Sequence, residues 1–138
     1  MCLWTKNAVK KIADKDIVCY KVICKVGNDY LTIYQRTPIE LGKTYTDNEL
    51  IHMGKGNDVY YIGQGVYHTF KKYKDAVVFL REHFLFTNRV IVRCVIPKGT
   101  EYYEGTFDDE EESYGSKTLY LSKKILKEEK PLATFPWG

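Results

Sequence analysis

The alternation of hydrophobic and polar positions predicts several strands, beginning with one near the start of the chain. Residues 17–26 read I-V-C-Y-K-V-I-C-K-V, with apolar side chains at alternate positions and Lys21 and Lys25 on the other face. β-branched residues are frequent here, as they are in strands. The turn residues 27–29 then lead into a second predicted strand at 30–35. Together the two segments predict a β-hairpin.

One amphipathic helix is predicted over residues 72–84. Its apolar residues recur at three- and four-residue steps, as expected for a helix that packs one face on a core; they are Tyr73, Ala76, Val77, Leu80 and Phe84. Residues 90–96 are apolar on both faces and predict a strand in the middle of a sheet, closed by a turn at 97–100. Further strands are predicted at 67–70, 102–107 and 118–126.

The stretch from Thr37 to Gly65 is interrupted by glycine, proline and asparagine, which predicts loops with one short strand at 59–62. Loop-rich stretches of this length inside a compact domain are often lids or binding loops. The acidic residues 108–112 are predicted to form a solvated loop, and the tail 131–138 is not predicted to be helical. We therefore expect one domain over 1–138, with an α+β fold: a mixed or mainly antiparallel sheet carrying one amphipathic helix.

Composition limits the possible partners. The net charge of +3 is too small to favour nucleic-acid binding, and no apolar run is long enough for a membrane span. The four cysteines form no CxxC pair and have no histidine at zinc-binding spacing, which predicts reduced thiols, no metal site and no other cofactor. We expect a cytoplasmic protein. A homo-oligomer is left open.

Residues 90–121 resemble the C-terminal half of ADP-ribosyltransferase-like domains. The run V-I-V-R-C-V-I-P-K-G-T, then Y-Y-E-G-T-F, an acidic stretch and S-Y-G-S-K-T-L-Y-L follow the strand, turn and strand order of that family. The resemblance implies a nucleotide cleft, with Lys21 and Thr69 as the nearest matches to the family's residues on its first and middle strands. Strand–turn–strand patterns are also common in unrelated β proteins, which is the alternative.

The sequence departs from the family at the residue that performs the transfer. Where the family places a catalytic glutamate at the start of the last strand, this chain has Ser116, Lys117 and Thr118. A carboxylate there would stabilise the positive charge that develops on the ribose, whereas lysine would oppose it. The resemblance therefore implies a cleft without the transfer step, and no catalytic residue is predicted.

Aromatic residues are unusually abundant, with 12 Tyr, 6 Phe and 2 Trp. Tyrosine offers a stacking face and a hydroxyl, which suits recognition of a base or ribose. His68 could donate to a phosphate or act as a general base, although a single histidine in a strand is more often structural. The candidate ligand-binding residues are Tyr20, Lys21, Tyr67, His68, Thr69, Tyr103, Tyr114, Ser116 and Lys117.

The favoured function is non-catalytic binding of a small nucleotide-like ligand. One use would be to sequester a cyclic-nucleotide or ADP-ribose-type immune signal, as phage sponges do. Two alternatives remain at this point. An active ADP-ribosyltransferase-like enzyme would take its acid from Glu101, Glu104 or Glu112. A protein-interaction module would bind through a tyrosine-rich surface and predicts an exposed apolar patch with no enclosed pocket.

Overall fold

A computed structural model describes residues 3–5, 9–56, 59–82, 87–107 and 111–131. The elements follow the chain in the order β1 (Leu3–Thr5), β2 (Lys11–Ile12), β3 (Ile17–Val26), β4 (Asp29–Thr32), β5 (Pro38–Ile39), β6 (Lys43–Thr46), β7 (His52–Lys55), β8 (Tyr60–Gln64), β9 (Tyr67–Phe70), α1 (Tyr73–Glu82), β10 (Arg89–Ile96), β11 (Glu101–Phe107), β12 (Glu111–Ser116) and β13 (Thr118–Glu129).

The strands form a single antiparallel sheet in the order β6-β13-β10-β3-β9-β12-β11-β1-β8-β7, while β2 pairs with β11 and β4 bridges β3 and β5. The prediction of an α+β fold is wrong. Strands make up 61% of the described residues, which contain one short helix, so the protein is nearly all β. None of the described residues forms a helix with the length and hydrophobicity needed to cross a bilayer.

The clearest sequence patterns are confirmed as elements. Strand β3 has the predicted bounds, β9 is confirmed at 67–70, and β10, β11 and β13 begin within one residue of their predicted starts. Helix α1 occupies most of the predicted span 72–84, although residues 83–86 lie outside the described part of the chain. The proposed hairpin is also present, with Gly27 at φ 63° in its turn, where glycine avoids the strain of a left-handed backbone.

Two predicted loop regions contain strands. The stretch 37–65 was expected to hold one short strand but contains β5, β6, β7 and β8, and the acidic stretch contains the start of β12 at Glu111. Residues 108–110 and 132–138 lie outside the described part of the chain. The additional strands are short and pair with distant partners, such as β6 with β13 and β8 with β1. Long-range pairing, which local patterns do not reveal, therefore decides their structure.

The sheet is buried on both faces at its centre. Val22 and Cys24 of β3 belong to one core cluster, which includes Phe79 and Leu80 of α1. The alternate β3 residues Cys19 and Ile23 belong to a second cluster, with Val92, Cys94 and Ile96 of β10 and Leu119 and Leu121 of β13. Because successive strand residues point to opposite faces, this arrangement explains why β3 and β10 are so rich in apolar residues.

Arg89 ties the end of the helix to two strands. Its buried guanidinium donates to the carbonyls of Leu80 at 2.6 Å, Thr87 at 3.0 Å and Lys130 at 3.1 Å. A planar guanidinium can direct several donors to separate carbonyls at once, which an ammonium cannot do with the same geometry. The interaction fixes α1 against β10 and the end of β13.

Candidate ligand-binding cavity between β3 and β9

Strands β3 and β9 separate after one pair of residues. Tyr20 pairs with Phe70, and no second pair joins the two strands, although every residue of both is described. A cavity of about 550 Å³ lies on the side where they separate, with Lys21 and Val22 of β3 and Tyr67 and His68 of β9 in its wall. Its remaining wall comes from Phe70, Phe79 and the segments 32–35, 37–39, 45–49 and 63–66. The volume falls within the ~300–1,000 Å³ of typical ligand pockets.

Lys21 places an ammonium on the cavity wall. Its side chain is partly buried, and Nζ donates to the backbone carbonyl of His68 at 2.8 Å. No described acidic side chain forms an ion pair with it. Burial lowers the pKa of Lys21, and the Cys94 and Cys19 thiols oppose that shift. Because burial disfavours the ammonium form of Lys21, an anionic ligand group beside it would stabilise that form.

The His68 ring is buried beneath the cavity. The residue is 9% exposed, and its ring centroid lies 5.3 Å from that of Phe107. Neither ring nitrogen has a hydrogen-bond partner of good geometry among the described residues, although the Gly63 backbone lies close enough to favour the charged form weakly. Burial, assisted by the Lys21 charge, lowers the pKa of His68 to about 3. The imidazole is therefore neutral at physiological pH.

The cavity wall also contains two acidic residues that are distant from Lys21 in the sequence. Asp47 is half-buried and Glu49 is exposed, and both belong to the segment after β6. The Asp47 Oδ1 accepts a hydrogen bond from the Glu49 backbone N–H at 2.9 Å, which forms a local Asx turn. This turn fixes the backbone that carries both acids.

Lys117 fastens the same segment to the sheet. Its Nζ donates to the carbonyl of Glu49 at 2.6 Å and to that of Gly65 at 2.8 Å. Its backbone carbonyl accepts from the Asp47 N–H at 2.8 Å. Lys117 therefore acts at the rim of the cavity through backbone contacts, and its charge is already solvated by two carbonyls.

Gly65 allows the rim to close tightly. Its φ of +87° lies in the left-handed region, and an added Cβ would lie 2.6 Å from both the Ile51 Cα and the Leu50 carbonyl oxygen. A side chain at this position would combine backbone strain with a steric clash. The glycine thus permits the close approach between the strand β8 end and the 50–51 backbone.

Three tyrosines, Tyr34, Tyr45 and Tyr67, line the cavity. Burial raises the pKa of Tyr67, and the nearby Asp47 and Tyr45 raise it further. The Tyr45 hydroxyl accepts from the Glu40 N–H at 2.8 Å, which holds that side chain in place. The cavity therefore presents aromatic rings beside one ammonium and two carboxylates.

The structure brings together only part of the predicted site. Lys21, Tyr67 and His68 line the cavity, and Lys117 reaches its rim through the two carbonyls. The other candidates lie elsewhere. Tyr20 packs edge-on against Tyr73 at 5.7 Å, Tyr114 packs edge-on against Tyr102 at 5.8 Å, and Thr69, Tyr103 and Ser116 are buried away from the cavity wall. Burial, and to a lesser extent the charge of the Glu104 carboxylate, raises the pKa of Tyr114 to about 12.

Several wall residues were not among the sequence candidates; they are Tyr34, Gln35, Tyr45, Asp47, Glu49 and Gln64. All of them lie in or next to the glycine- and proline-rich stretch 37–65. Long interrupted stretches often supply binding loops, so this stretch was the available signal. The pattern marked the region, but not which of its side chains meet.

We compared the chain with protein-family models, with curated proteins and with solved structures, and none matches it. The resemblance to ADP-ribosyltransferase-like domains therefore stays a prediction from the residue pattern.

Proposed function

We propose that the protein is a non-catalytic binding domain that holds a small nucleotide-like ligand in the cavity between β3 and β9. The observation that carries this proposal is a cavity of about 550 Å³ whose wall contains Lys21, which forms no ion pair with any acidic side chain of the described residues. Removing a cation from water is costly unless an opposite charge compensates. A ligand anion would supply that charge.

The tyrosines support the same proposal. Tyr34, Tyr45 and Tyr67 contribute aromatic rings and hydroxyl groups to the wall. Base stacking on aromatic rings contributes about 1–3 kcal/mol per base in proteins that bind nucleic-acid bases. A flat heterocycle beside a single anionic group fits this combination of surfaces.

The positions of the three glutamates considered as catalytic acids support a binding role instead of an enzymatic one. Glu101 pairs with Lys10 at 3.6 Å, Glu104 with Lys11 at 3.0 Å, and Glu112 with Lys72 at 2.7 Å. None of the three acids is part of the cavity wall. A transferase acid must lie against the ribose of its substrate, and these side chains lie at surface ion pairs.

The second candidate function is an ADP-ribosyltransferase-like enzyme, and the presence of Glu49 in the cavity wall favours it. It is the one glutamate of the cavity wall, and a carboxylate there can stabilise positive charge on a bound sugar. Incubation with labelled NAD separates the two candidates. Time-dependent release of nicotinamide, abolished by Glu49→Gln, would establish the enzyme and reject the non-catalytic proposal.

Sequestration of a nucleotide signal in the cytoplasm is the biological role that we propose for such a domain. The described cysteines Cys19, Cys24 and Cys94 are free thiols, which suits a reducing compartment. A sponge needs only tight binding, because it removes its ligand without chemistry. The signals to test are cyclic dinucleotides and ADP-ribose derivatives.

Calorimetry tests the binding function directly. Wild-type protein is titrated with nucleosides, nucleotides, cyclic dinucleotides and ADP-ribose, and native mass spectrometry identifies material retained through purification. Gln35→Trp, at an exposed position of the cavity wall, is expected to abolish binding. Glu40→Trp, exposed in the same segment but outside the wall, is the matched control and is expected to bind normally. Absence of any binding, or equal binding by the two variants, would reject the proposed site.

A further inference from the structure

We infer that the ligand carries a single anionic group that meets Lys21, with a hydroxyl- or amino-bearing part against Asp47 and Glu49. Within the nucleotides this describes a nucleoside monophosphate, open or cyclic. It disfavours nucleoside polyphosphates and, among the signals proposed above, cyclic dinucleotides and ADP-ribose, which carry two phosphates. The inference rests on the proposed function, since it assigns the ligand class of the same cavity.

The first step is the scarcity of positive charge. Lys21 is the one lysine or arginine in the cavity wall, and every wall residue is described. Sites for polyphosphates use several cations or rows of backbone N–H groups. The buried His68 imidazole adds no charge, because its pKa lies near 3. One ammonium can compensate one anionic group.

The second step concerns the lysine at the cavity rim. Lys117 lies at the rim, where its Nζ is bound to the carbonyls of Glu49 and Gly65. Recruiting it for a second phosphate would break both hydrogen bonds and release the segment that forms this part of the wall. The rim lysine therefore stabilises the cavity and is not available as a second anion site.

The third step is the repulsion that a second phosphate would meet. The wall holds the carboxylates of Asp47 and Glu49, and the Asx turn and Lys117 hold their backbone in place. Charges of like sign a few ångströms apart repel each other, and more strongly in a partly desolvated site than in water. An ionised carboxylate only accepts hydrogen bonds, so it prefers donors such as sugar hydroxyls or ring amino groups.

The probes are the nucleoside, monophosphate, diphosphate and triphosphate of adenine and of uracil, titrated calorimetrically at constant ionic strength with a chelator to exclude metal ions. We expect the monophosphate of the preferred base to bind about tenfold more tightly than its nucleoside and about tenfold more tightly than its diphosphate. Lys21→Met is expected to remove the first preference. Asp47→Asn combined with Glu49→Gln is expected to remove the second, and it tests the inference even if the Lys21 variant does not fold.

The outcomes separate the inference from the proposed function. Tighter binding of a diphosphate or triphosphate than of the monophosphate would overturn the single-anion inference and leave nucleotide binding in place. The same holds if the two variants leave both preferences unchanged. Absence of binding by every probe, including the uncharged nucleosides, would instead reject nucleotide binding at this cavity.

Discussion

Replacing His68 by leucine is expected to make the protein less sensitive to acid. In the folded protein, burial and then the Lys21 charge lower the pKa of His68 to about 3, whereas an unfolded histidine titrates near 6.5. Between these values the unfolded chain binds a proton that the folded chain does not, so the free energy of unfolding falls as the pH falls. Titration of His68 therefore costs the folded protein no stability above about pH 6.5. As the pH drops from there toward 3, the free energy of unfolding falls steadily.

The structure also sets the size of the effect. At about 1.4 kcal/mol per pH unit, the wild type is expected to lose roughly 3 kcal/mol between pH 7 and pH 4.5 through this histidine. His68→Leu removes that loss. It also removes two buried ring nitrogens that lack well-placed partners, each of which costs about 1–3 kcal/mol when unsatisfied. At pH 7 we therefore expect the variant to be as stable as the wild type or more stable.

Urea denaturation followed by far-UV circular dichroism at pH 7, 6, 5 and 4.5 measures this difference. Comparison with the wild type cancels the carboxylates, which titrate in both proteins. His52→Leu, which removes an exposed histidine, is the matched control and is expected to retain the wild-type pH dependence. If His68→Leu loses stability with acid as steeply as the wild type, the histidine is not buried in its neutral form and the reasoning fails.

Three further substitutions test the rim and the helix anchor. Gly65→Ala is expected to lower the free energy of unfolding by about 1–3 kcal/mol more than Gly99→Ala. Both glycines have φ 87°, but only at Gly65 would an added Cβ lie against backbone atoms. Paired urea denaturation measures the difference, and equal losses would contradict this explanation. Lys117→Met is expected to cost about 1–3 kcal/mol and to speed amide hydrogen exchange in residues 46–49; unchanged exchange would show that the lysine does not hold the rim. Arg89→Met is expected to cost about 3 kcal/mol or more and Arg89→Lys nearly as much, because lysine cannot reach three carbonyls as a fork; full rescue by lysine in thermal denaturation would refute this explanation.

The hydrophobic pattern of the sequence identified the strands that are buried between neighbouring strands at the centre of the sheet. β3 and β10 form eight register pairs with each other and contribute to both core clusters, so their apolar pattern is continuous and their bounds were predictable. Helix α1 was visible for a similar reason, since its buried residues Ala76, Phe79 and Leu80 recur at helical spacing. In both cases the burial pattern can be inferred from the residues of the element itself.

Strands stabilised by distant partners could not be recognised in the same way. β6 has no buried residue, and it is a strand because it pairs with β13 more than seventy residues later. β12 begins with Glu111 and Glu112, whose charges favour a loop in isolation, and Lys72 compensates Glu112 through an ion pair at 2.7 Å. Such elements depend on long-range contacts, which a reading by local periodicity omits, and the fold was therefore predicted with too few strands.

The candidate site shows the same division. Lys21 was indicated by its match to the residue on the first strand of the transferase-like family. The two acidic residues of the wall were not indicated, because their position depends on how Lys117 bonds the segment after β6. The ammonium of Lys117 is occupied by two backbone carbonyls. A carboxylate there would face those same carbonyl oxygens and repel them. Lys117 therefore shapes the cavity and leaves Lys21 as the one lysine or arginine of its wall. The proposed retention of a ligand with a single anionic group rests on this arrangement.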